Sequence, residues 1–259
     1  MVRIGTWNLE NLFRPGAAAG PSGETAYRAK LDALARVIGQ LAPDVLAVQE
    51  VGEPKALRDL ADAAGGHWYA CTADPDARGI RVGFLSRLEL NDVAQVADFP
   101  PGLHPVQVDD SDTAATTMGR PALHARVQVA GRAVHVMTCH LKSKLLTFPG
   151  GRFSTTDEGE RARFGAFALN RRAAEAVTVR AAATGLLDVD GPQAAVVVLG
   201  DLNDGPEAAT TQILYGPTWI SARHRRRGAA RPRRPPAAVE PRRADPARPA
   251  LQPDAPRRT

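Results

Sequence analysis

A six-residue apolar run followed by a carboxylate and a carboxamide constrains this sequence more than any other stretch. Residues 194–199 are apolar and rich in β-branched side chains. The run is too short for a typical helix and stops at Gly200, so it predicts a buried strand. Asp201 and Asn203 follow, and side chains two residues apart in extended backbone point the same way. The stretch predicts either a polar site at the carboxyl end of a strand or a simple turn.

Polar side chains also lie at or just after the ends of three other predicted strands. These strands and their polar residues are 3–9 with Asn8 and Glu10, 44–50 with Glu50, and 133–139 with His140. Each residue alone has an ordinary alternative, because Glu50 could cap the next helix and a histidine after a strand is often structural. Oxygen ligands of this kind suit a hard cation such as Mg²⁺ or Mn²⁺, whereas zinc sites use His and Cys. The repetition predicts one shared site.

The remaining pattern places these strands among helices. Apolar residues at helical spacing predict helices at 27–41, 54–64, 160–186 and 207–214. Predicted hairpin-like pairs are 68–70 with 80–85, turning at 74–76, and 122–129 with 133–139, turning at 131–132. Residues 98–118 predict a loop with a solvated acidic cluster at 109–112. Because hairpins interrupt the alternation of strands and helices, the sequence favours an α/β (α+β) fold with mixed sheets over a purely parallel sheet.

Composition changes abruptly near residue 216 and divides the chain into two parts. Residues 216–259 contain twelve arginines, no lysine and three acids, giving +9, so residues 1–215 sum to −4 within a chain total of +5. The second part is almost entirely Arg, Pro and Ala and cannot bury enough apolar surface to offset chain entropy. It predicts a disordered tail after a folded domain over 1–215. Such a tail is either a nucleic-acid-binding segment or a sequence read out of frame.

The cysteine count and the apolar runs exclude several classes of protein. Cys71 and Cys139 are the only cysteines, and each lies in or beside an apolar segment, so a disulfide framework and a cysteine-based zinc site are both excluded. The amino terminus lacks the apolar region of a secretory signal, and no stretch approaches about 18 apolar residues. The sequence therefore predicts a cytoplasmic protein without a transmembrane segment.

Four short motifs carry a resemblance to a known family. They are Thr6-Trp7-Asn8-Leu9, Val48-Gln49-Glu50, Thr138-Cys139-His140-Leu141 and Gly200-Asp201-Leu202-Asn203. In this order and spacing they resemble the endonuclease/exonuclease/phosphatase superfamily, in particular its deoxyribonuclease I-like members. The match covers residues 2 to about 215. The resemblance implies two packed, mixed and mostly antiparallel β-sheets flanked by helices, a four-layer sandwich, with the site at one end.

The resemblance also implies a metal-dependent phosphodiesterase or nuclease. Glu50 matches the glutamate that binds Mg²⁺ or Mn²⁺, and Asn8 and Glu10 would lie close to the same ion. Asn8 would also contact the substrate. In such a site the metal neutralises charge on the phosphate while a water attacks in line. The expected partner is a phosphodiester substrate, with nucleic acid among the candidates.

Four further residues receive roles from the same resemblance. Asp201 would orient or deprotonate the attacking water, and Asn203 would hold the phosphate. His140 would contact the scissile phosphate or assist the leaving group. Arg120, between Gly119 and Pro121 ahead of a strand, matches an arginine that contacts phosphate, with a plain surface arginine as the alternative.

The sequence departs from the family pattern after Asn203. Family members normally finish with an Asp-His pair that completes proton transfer with water, and no such pair follows here. His224, the only later histidine, stands among arginines. The last strands of the second sheet are missing as well, so the fold is expected to be incomplete at the carboxyl end. These departures predict a truncated or frame-shifted member with little or no activity.

Two alternatives to a nuclease stay open. The charge of −4 over residues 1–215 offers no bulk attraction for nucleic acid, so the substrate could instead be a small-molecule or lipid-headgroup phosphoester. Outside the enzymes, the chain could bind nucleic acid through its arginine-rich tail. The sequence does not fix an oligomeric state.

Overall fold

Eight strands and four helices make up the part of the chain that the computed structural model describes, residues 1–111, 114–190 and 195–215. In chain order they are β1 (Ile4–Leu12), α1 (Glu24–Leu41), β2 (Val45–Val51), α2 (Pro54–Ala64), β3 (Tyr69–Thr72), β4 (Arg81–Ser86), β5 (Asn91–Asp98), β6 (Thr117–Val129), β7 (Arg132–His140), α3 (Glu158–Asp190), β8 (Ala195–Asp201) and α4 (Ala209–Tyr215). A 3₁₀ turn covers Pro149–Gly151. The tail predicted over 216–259 lies outside the described residues.

The strands form two mixed sheets of four strands each. Their orders are β1-β2-β4-β3 and β5-β6-β7-β8. Pairs β1–β2 and β7–β8 are parallel, and the other four pairs are antiparallel. This confirms the expected mixed and mostly antiparallel architecture.

Alternation along the strands builds the layers, because successive side chains point to opposite faces of a sheet. In β2, Leu46 and Val48 pack with the buried faces of α1 and α2. Val45 and Ala47 face the other way and pack against residues of β6 and β7, such as Leu123, between the two sheets. The outer face of the second sheet packs against α3. The order of layers is therefore helix, sheet, sheet, helix.

The helices follow the predicted apolar spacing. In α1 the buried side chains are Tyr27, Leu31, Leu34 and Ile38, at intervals of three and four residues. The helix ends where Ala42 adopts a left-handed conformation, and its N–H donates to the carbonyl of Ile38 just before Pro43. Among the described helices, none is long and apolar enough to cross a membrane.

Three features differ from the sequence prediction. Strand β5 has no predicted counterpart, because most of its side chains are exposed and show no apolar pattern. Strand β6 begins at Thr117, inside the loop predicted over 98–118. The β6–β7 hairpin turns at Ala130 and Gly131, with φ of 49° and 76°, and not at 131–132. Two left-handed residues match the twist of a two-residue hairpin, which explains the shift.

The two parallel pairs bring four strand ends to one edge of the sandwich. Carboxyl ends of parallel strands lie at the same edge of a sheet. Asn8 of β1 pairs with Gln49 of β2, and His140 of β7 pairs with Asp201 of β8. Since β1 and β8 also contact each other across the two sheets, the four polar strand ends converge.

Gly200 allows β8 to approach β7 beside this edge. Its φ is 139°, and a Cβ at this position would collide with the carbonyl oxygen of Cys139. A side chain here would strain the backbone and displace Asp201, the next residue.

We therefore predict that Gly200→Ala lowers the free energy of unfolding by about 3 kcal/mol, measured by urea denaturation. The matched control is Gly165→Ala in α3, where a Cβ meets nothing within 4 Å. It should be stabilising by about 0.5–1 kcal/mol, because alanine favours a helix interior. Equal stability of Gly200→Ala and the wild type would contradict the close approach.

Candidate active site at the strand ends

The Asn8 amide joins the two sheets at the edge where the strands end. Its Nδ2 donates to Glu50 Oε1 at 3.0 Å and to Asp201 Oδ2 at 3.0 Å. Its Oδ1 accepts the backbone N–H of Glu10 at 2.9 Å. The amide therefore holds two carboxylates from different sheets against one nitrogen, in an orientation fixed by its own oxygen.

Left-handed backbone aims the carboxylate of Glu50 at this amide. The residues near the site with positive φ are Glu10 (51°), Asn11 (60°), Glu50 (59°) and Asn203 (52°). Such conformations are uncommon for residues with a side chain, so the surrounding contacts must hold them. Asn11 N–H donates to Glu50 Oε2 at 3.0 Å, and Lys30 Nζ donates to the carbonyls of Glu10 at 2.5 Å and Asn11 at 3.3 Å.

Asp201 is held by its own loop and faces His140. Asn203 N–H donates to Asp201 Oδ1 at 2.9 Å, and Asn203 Nδ2 donates to the carbonyl of Leu141 at 2.9 Å. His140 Nε2 lies 3.6 Å from Asp201 Oδ2, slightly beyond hydrogen-bond distance. Asn203 thus positions Asp201 and ties the end of β8 to the end of β7.

His140 is buried and neutral at pH 7. Burial, together with the positive charge of Arg120, lowers the pKa of its imidazole to about 4, although the carboxylate of Asp201 opposes both effects. Nε2 faces the carboxylate of Asp201, which favours the tautomer with the proton on Nε2. Nδ1 is buried and has no hydrogen-bond partner among the described residues. The ring therefore keeps one lone pair for a ligand or water.

Arg120 is held beside His140 by a carboxylate that the sequence did not single out. Its Nε lies 2.9 Å from Asp76 Oδ2, and both side chains are largely buried. Asp76 Oδ1 in turn accepts the N–H groups of Arg78 and Ile80, which fixes the β3–β4 turn. Arg120 Nη1 is buried without a partner in the described part of the chain. An unpaired buried guanidinium nitrogen is a ready donor to a phosphate oxygen.

Gln49 ties the two sheets together beneath the site. Its side chain is 1% exposed, and Nε2 lies 3.0 Å from both Thr6 Oγ1 and Thr138 Oγ1. Thr6 belongs to β1 and Thr138 to β7. A buried amide in an otherwise apolar strand was the only signal of this role in the sequence.

Glu175 of α3 organises the approach to Arg120 and His140. Its carboxylate accepts the backbone N–H of Gly119 at 3.0 Å, the N–H of Lys142 at 2.6 Å and Arg171 Nε at 3.2 Å. The side chain is 3% exposed. It therefore fixes the residue before Arg120 and the loop after His140. The apolar spacing predicts a helix over 160–186 but gives no sign of these contacts.

A cleft of about 840 Å³ is lined by His140 and Arg120 and by residues of the β7–α3 loop. We call it the aromatic cleft, because its walls include Phe148, Phe153, Phe164 and Phe167. Lys142, Arg171 and Glu175 also line it. The two nitrogens that have no partner among the described residues thus belong to side chains that line a cavity large enough for a small organic phosphate.

The donor set fits a hard cation held by few protein ligands. No group of three or more His, Cys, Asp or Glu side chains converges within the described residues, so that part of the chain contains no complete metal cage. However, Glu50 and Asp201 converge on one amide, and neither pairs with a described Lys or Arg side chain. A cation that takes one or two carboxylates and fills its shell with water and substrate oxygens suits this arrangement.

The structure brings most of the predicted site residues together. Asn8, Glu50, His140, Asp201 and Asn203 meet at the strand ends. Arg120 lines the aromatic cleft with His140. Glu10 has an exposed side chain, and only its backbone takes part in these contacts.

The sequence matches the Endonuclease/Exonuclease/phosphatase family over residues 5–246. The chain belongs to this family, which confirms the resemblance carried by the four motifs. The match extends past residue 215 into residues that the structure does not describe. Family membership supports a phosphoester hydrolase or nuclease-like function. No curated protein sequence matches the chain significantly.

Solved structures share the fold at low sequence identity. The human Nocturnin catalytic domain with bound sulfate anion has a TM-score of 0.51 at 16% identity, covering 84% of this chain and 69% of that one. A functionally unknown conserved protein from Enterococcus faecalis V583 has a TM-score of 0.50 at 15% identity, covering 82% and 71%. Truncated Caenorhabditis elegans TDP2 matches with a TM-score of 0.47 at 15% identity, covering 80% and 64%. This chain spans between 48% and 64% of the three C. elegans TDP2 chains.

The low pKa of His140 predicts a specific dependence of stability on pH. An unfolded imidazole takes up its proton near pH 6.5, whereas the folded one does so only near its pKa of about 4. Stability is therefore present above about pH 6.5 and is lost as the pH falls toward 4. From pH 7 to pH 5, the wild type should lose about 1–2 kcal/mol more free energy of unfolding than His140→Gln, measured by urea denaturation in EDTA. Parallel pH profiles would show that His140 is not buried in neutral form.

Proposed function

We propose that this chain hydrolyses phosphodiesters at the site where β1, β2, β7 and β8 end, with Mg²⁺ or Mn²⁺ held by Glu50. One observation carries the proposal: a single amide nitrogen, Asn8 Nδ2, binds the carboxylates of Glu50 and Asp201 at 3.0 Å each. Two carboxylates brought together in this way suit a cation and an attacking water. The family of the chain supports the broader class of phosphoester hydrolases.

Asp201 is the group that orients the attacking water. Asn203 N–H and Asn8 Nδ2 bind its two oxygens and fix its plane, while the Nε2–H of neutral His140 faces Oδ2. As the water oxygen bonds to phosphorus, the carboxylate accepts the proton that the water loses. The phosphorus–oxygen bond to the leaving group breaks on the opposite side, and the departing oxygen takes its proton from solvent.

Arg120 and His140 complete the surroundings of the phosphate. Arg120 Nη1, which has no partner among the described residues, donates to a phosphoryl oxygen, where negative charge builds up in the transition state. His140 Nδ1, which is unpaired within the part of the chain that the structure describes, accepts a hydrogen bond from water and so helps to order it. When bound, the divalent cation neutralises charge on the phosphate and on the leaving oxygen. We assign Asn203 chiefly to positioning Asp201, since its amide already binds the Leu141 carbonyl.

A small phosphodiester is a better candidate substrate than long nucleic acid. Residues 1–215 carry a net charge of −4, which gives no general attraction for a polyanion. Binding of nucleic acid through the tail at 216–259 concerns residues outside the described part of the chain. The two substrate classes can be compared directly with the intact chain. Weak binding of plasmid DNA at low salt, together with turnover of a small diester, would favour the small substrate.

The first test is turnover of bis(p-nitrophenyl) phosphate and of plasmid DNA in Mg²⁺. Asp201→Asn should lower kcat by about 10²–10⁴-fold, because the amide cannot accept the water's proton. The matched control is Asp32→Asn on the exposed face of α1, which should keep wild-type activity. If the wild type shows turnover and Asp201→Asn loses it, the chain is active, which would contradict the expectation that it is inactive for lack of an Asp-His pair. Equal rates in the wild type and Asp201→Asn would contradict the proposed site.

The second test concerns the cation. Removing the negative charge in Glu50→Gln should raise the half-saturating Mg²⁺ concentration by about tenfold or more, measured by titrating activity and by calorimetry without substrate. EDTA should abolish wild-type turnover. Asp32→Asn again serves as the control and should bind Mg²⁺ like the wild type. A Glu50→Gln variant with unchanged metal dependence would remove Glu50 from the metal site.

A further inference from the structure

The aromatic cleft includes the proposed phosphate-binding residues Arg120 and His140 in its lining and has an apolar wall. Phe148, Phe164 and Phe167 are buried and pack together, with ring centroids 5.0 Å apart for Phe148 and Phe164 and 5.4 Å apart for Phe164 and Phe167. This cluster anchors the β7–α3 loop against the start of α3. Interlocked aromatic rings hold a wall in place at little entropic cost when a ligand binds.

Phe153 lies outside this cluster and presents its ring to the cleft. Its side chain lines the cleft but is 64% exposed, unlike the three buried phenylalanines. An exposed aromatic ring beside a candidate active site is a surface for a flat, apolar partner. The ring has the chemistry of a stacking platform, since every nucleobase has a π face.

The polar lining of the cleft argues against a fatty acyl chain. Lys142 Nζ donates to the carbonyls of Ser143 and Leu145 at 3.0 and 2.7 Å, so the ammonium group organises the loop. Asp109 and Asp110 line the same cavity, and the hydrogen bonds from Ser111 lower the pKa of the Asp109 carboxyl. Charged groups that line a cavity penalise burial of an alkyl chain but leave hydrogen-bonding positions for a heterocycle and a ribose.

We propose that the aromatic cleft binds the nucleoside attached to the scissile phosphate, with the base stacked on Phe153. The inference rests on the proposed function, because it places the phosphate at Arg120 and His140, which line the cleft. It also agrees with the acidic charge of residues 1–215, since a single nucleotide needs little electrostatic attraction. The substrate class is therefore a small nucleotide phosphodiester with an unpaired base.

The test compares two substrates that share a leaving group. Thymidine 5′-(p-nitrophenyl) phosphate and methyl p-nitrophenyl phosphate both release p-nitrophenolate and differ only in the retained group. The wild type should prefer the thymidine ester by about tenfold or more in kcat/KM, mainly through KM, because base stacking contributes at this scale. Phe153→Ala should lower that preference by about 5- to 50-fold. Leu169→Ala, an exposed apolar residue of α3 outside the cleft, should retain it.

A second variant separates stacking from general apolar contact. Phe153→Leu keeps apolar surface but lacks a ring, so it should lose most of the preference for the thymidine ester. If Phe153→Leu keeps the wild-type preference, or if the wild type prefers an octyl p-nitrophenyl ester over the thymidine ester, the cleft accepts an alkyl group and the proposal is overturned. An unchanged preference in Phe153→Ala would overturn it as well.

Binding without turnover distinguishes failure of this inference from failure of the proposed function. Equilibrium binding of a thymidine dinucleotide phosphorothioate, which resists hydrolysis, can be measured by calorimetry for the intact chain. We expect its Kd to rise by about tenfold in Phe153→Ala and to stay unchanged in Leu169→Ala. If the chain shows this binding but no turnover, nucleoside binding in the aromatic cleft is supported and the proposed hydrolase activity is rejected. Absence of binding to the wild type would overturn the inference.

Discussion

The site depends on one amide that joins two sheets. Asn8 Nδ2 binds Glu50 within the first sheet and Asp201 across to the second, at 3.0 Å in each case. Without this donor, two carboxylates would face each other with no shared partner, and their mutual repulsion would push the strand ends apart. The amide therefore couples the packing of the sandwich to the geometry of the candidate site at its edge. A divalent cation at Glu50 would reinforce the same convergence.

Buried polar contacts in the layers below support this arrangement. Gln49 connects β1 and β7 through two threonine hydroxyls, and Glu175 connects α3 to β6 and to the loop after β7. Buried groups that are fully hydrogen-bonded specify one arrangement, because any other would leave them unpaired. By contrast, Arg120 Nη1 and His140 Nδ1 are left unpaired within the described residues, and both belong to residues that line the aromatic cleft. Gln49 and Glu175 are thus satisfied, whereas Arg120 Nη1 and His140 Nδ1 are groups that a phosphate or water would fill.

Local patterns in the sequence predict much of the fold and which polar residues converge at the strand ends. The apolar run before Asp201, the amphipathic spacing of α1 and the polar residues at strand ends all follow periods that a sequence displays directly. Strand β5 is not predicted, because its side chains are mostly exposed and show no apolar period. The roles of Asp76, Gln49 and Glu175 are not predicted either, because they arise from contacts between distant segments of the chain. The orientation of the Asn8 amide, which turns its nitrogen and not its oxygen toward Glu50, likewise depends on the Glu10 N–H and on no local pattern.

The most direct test of this account is a double-mutant cycle between Asn8 and Asp201, which lie on different sheets. The free energy of unfolding of the wild type, Asn8→Ala, Asp201→Ala and the double variant would be measured by urea denaturation in metal-free buffer. A hydrogen bond to a buried or half-buried carboxylate predicts a coupling free energy of about 1–3 kcal/mol. Additive effects, with a coupling below about 0.3 kcal/mol, would show that the Asn8 amide does not join the two sheets.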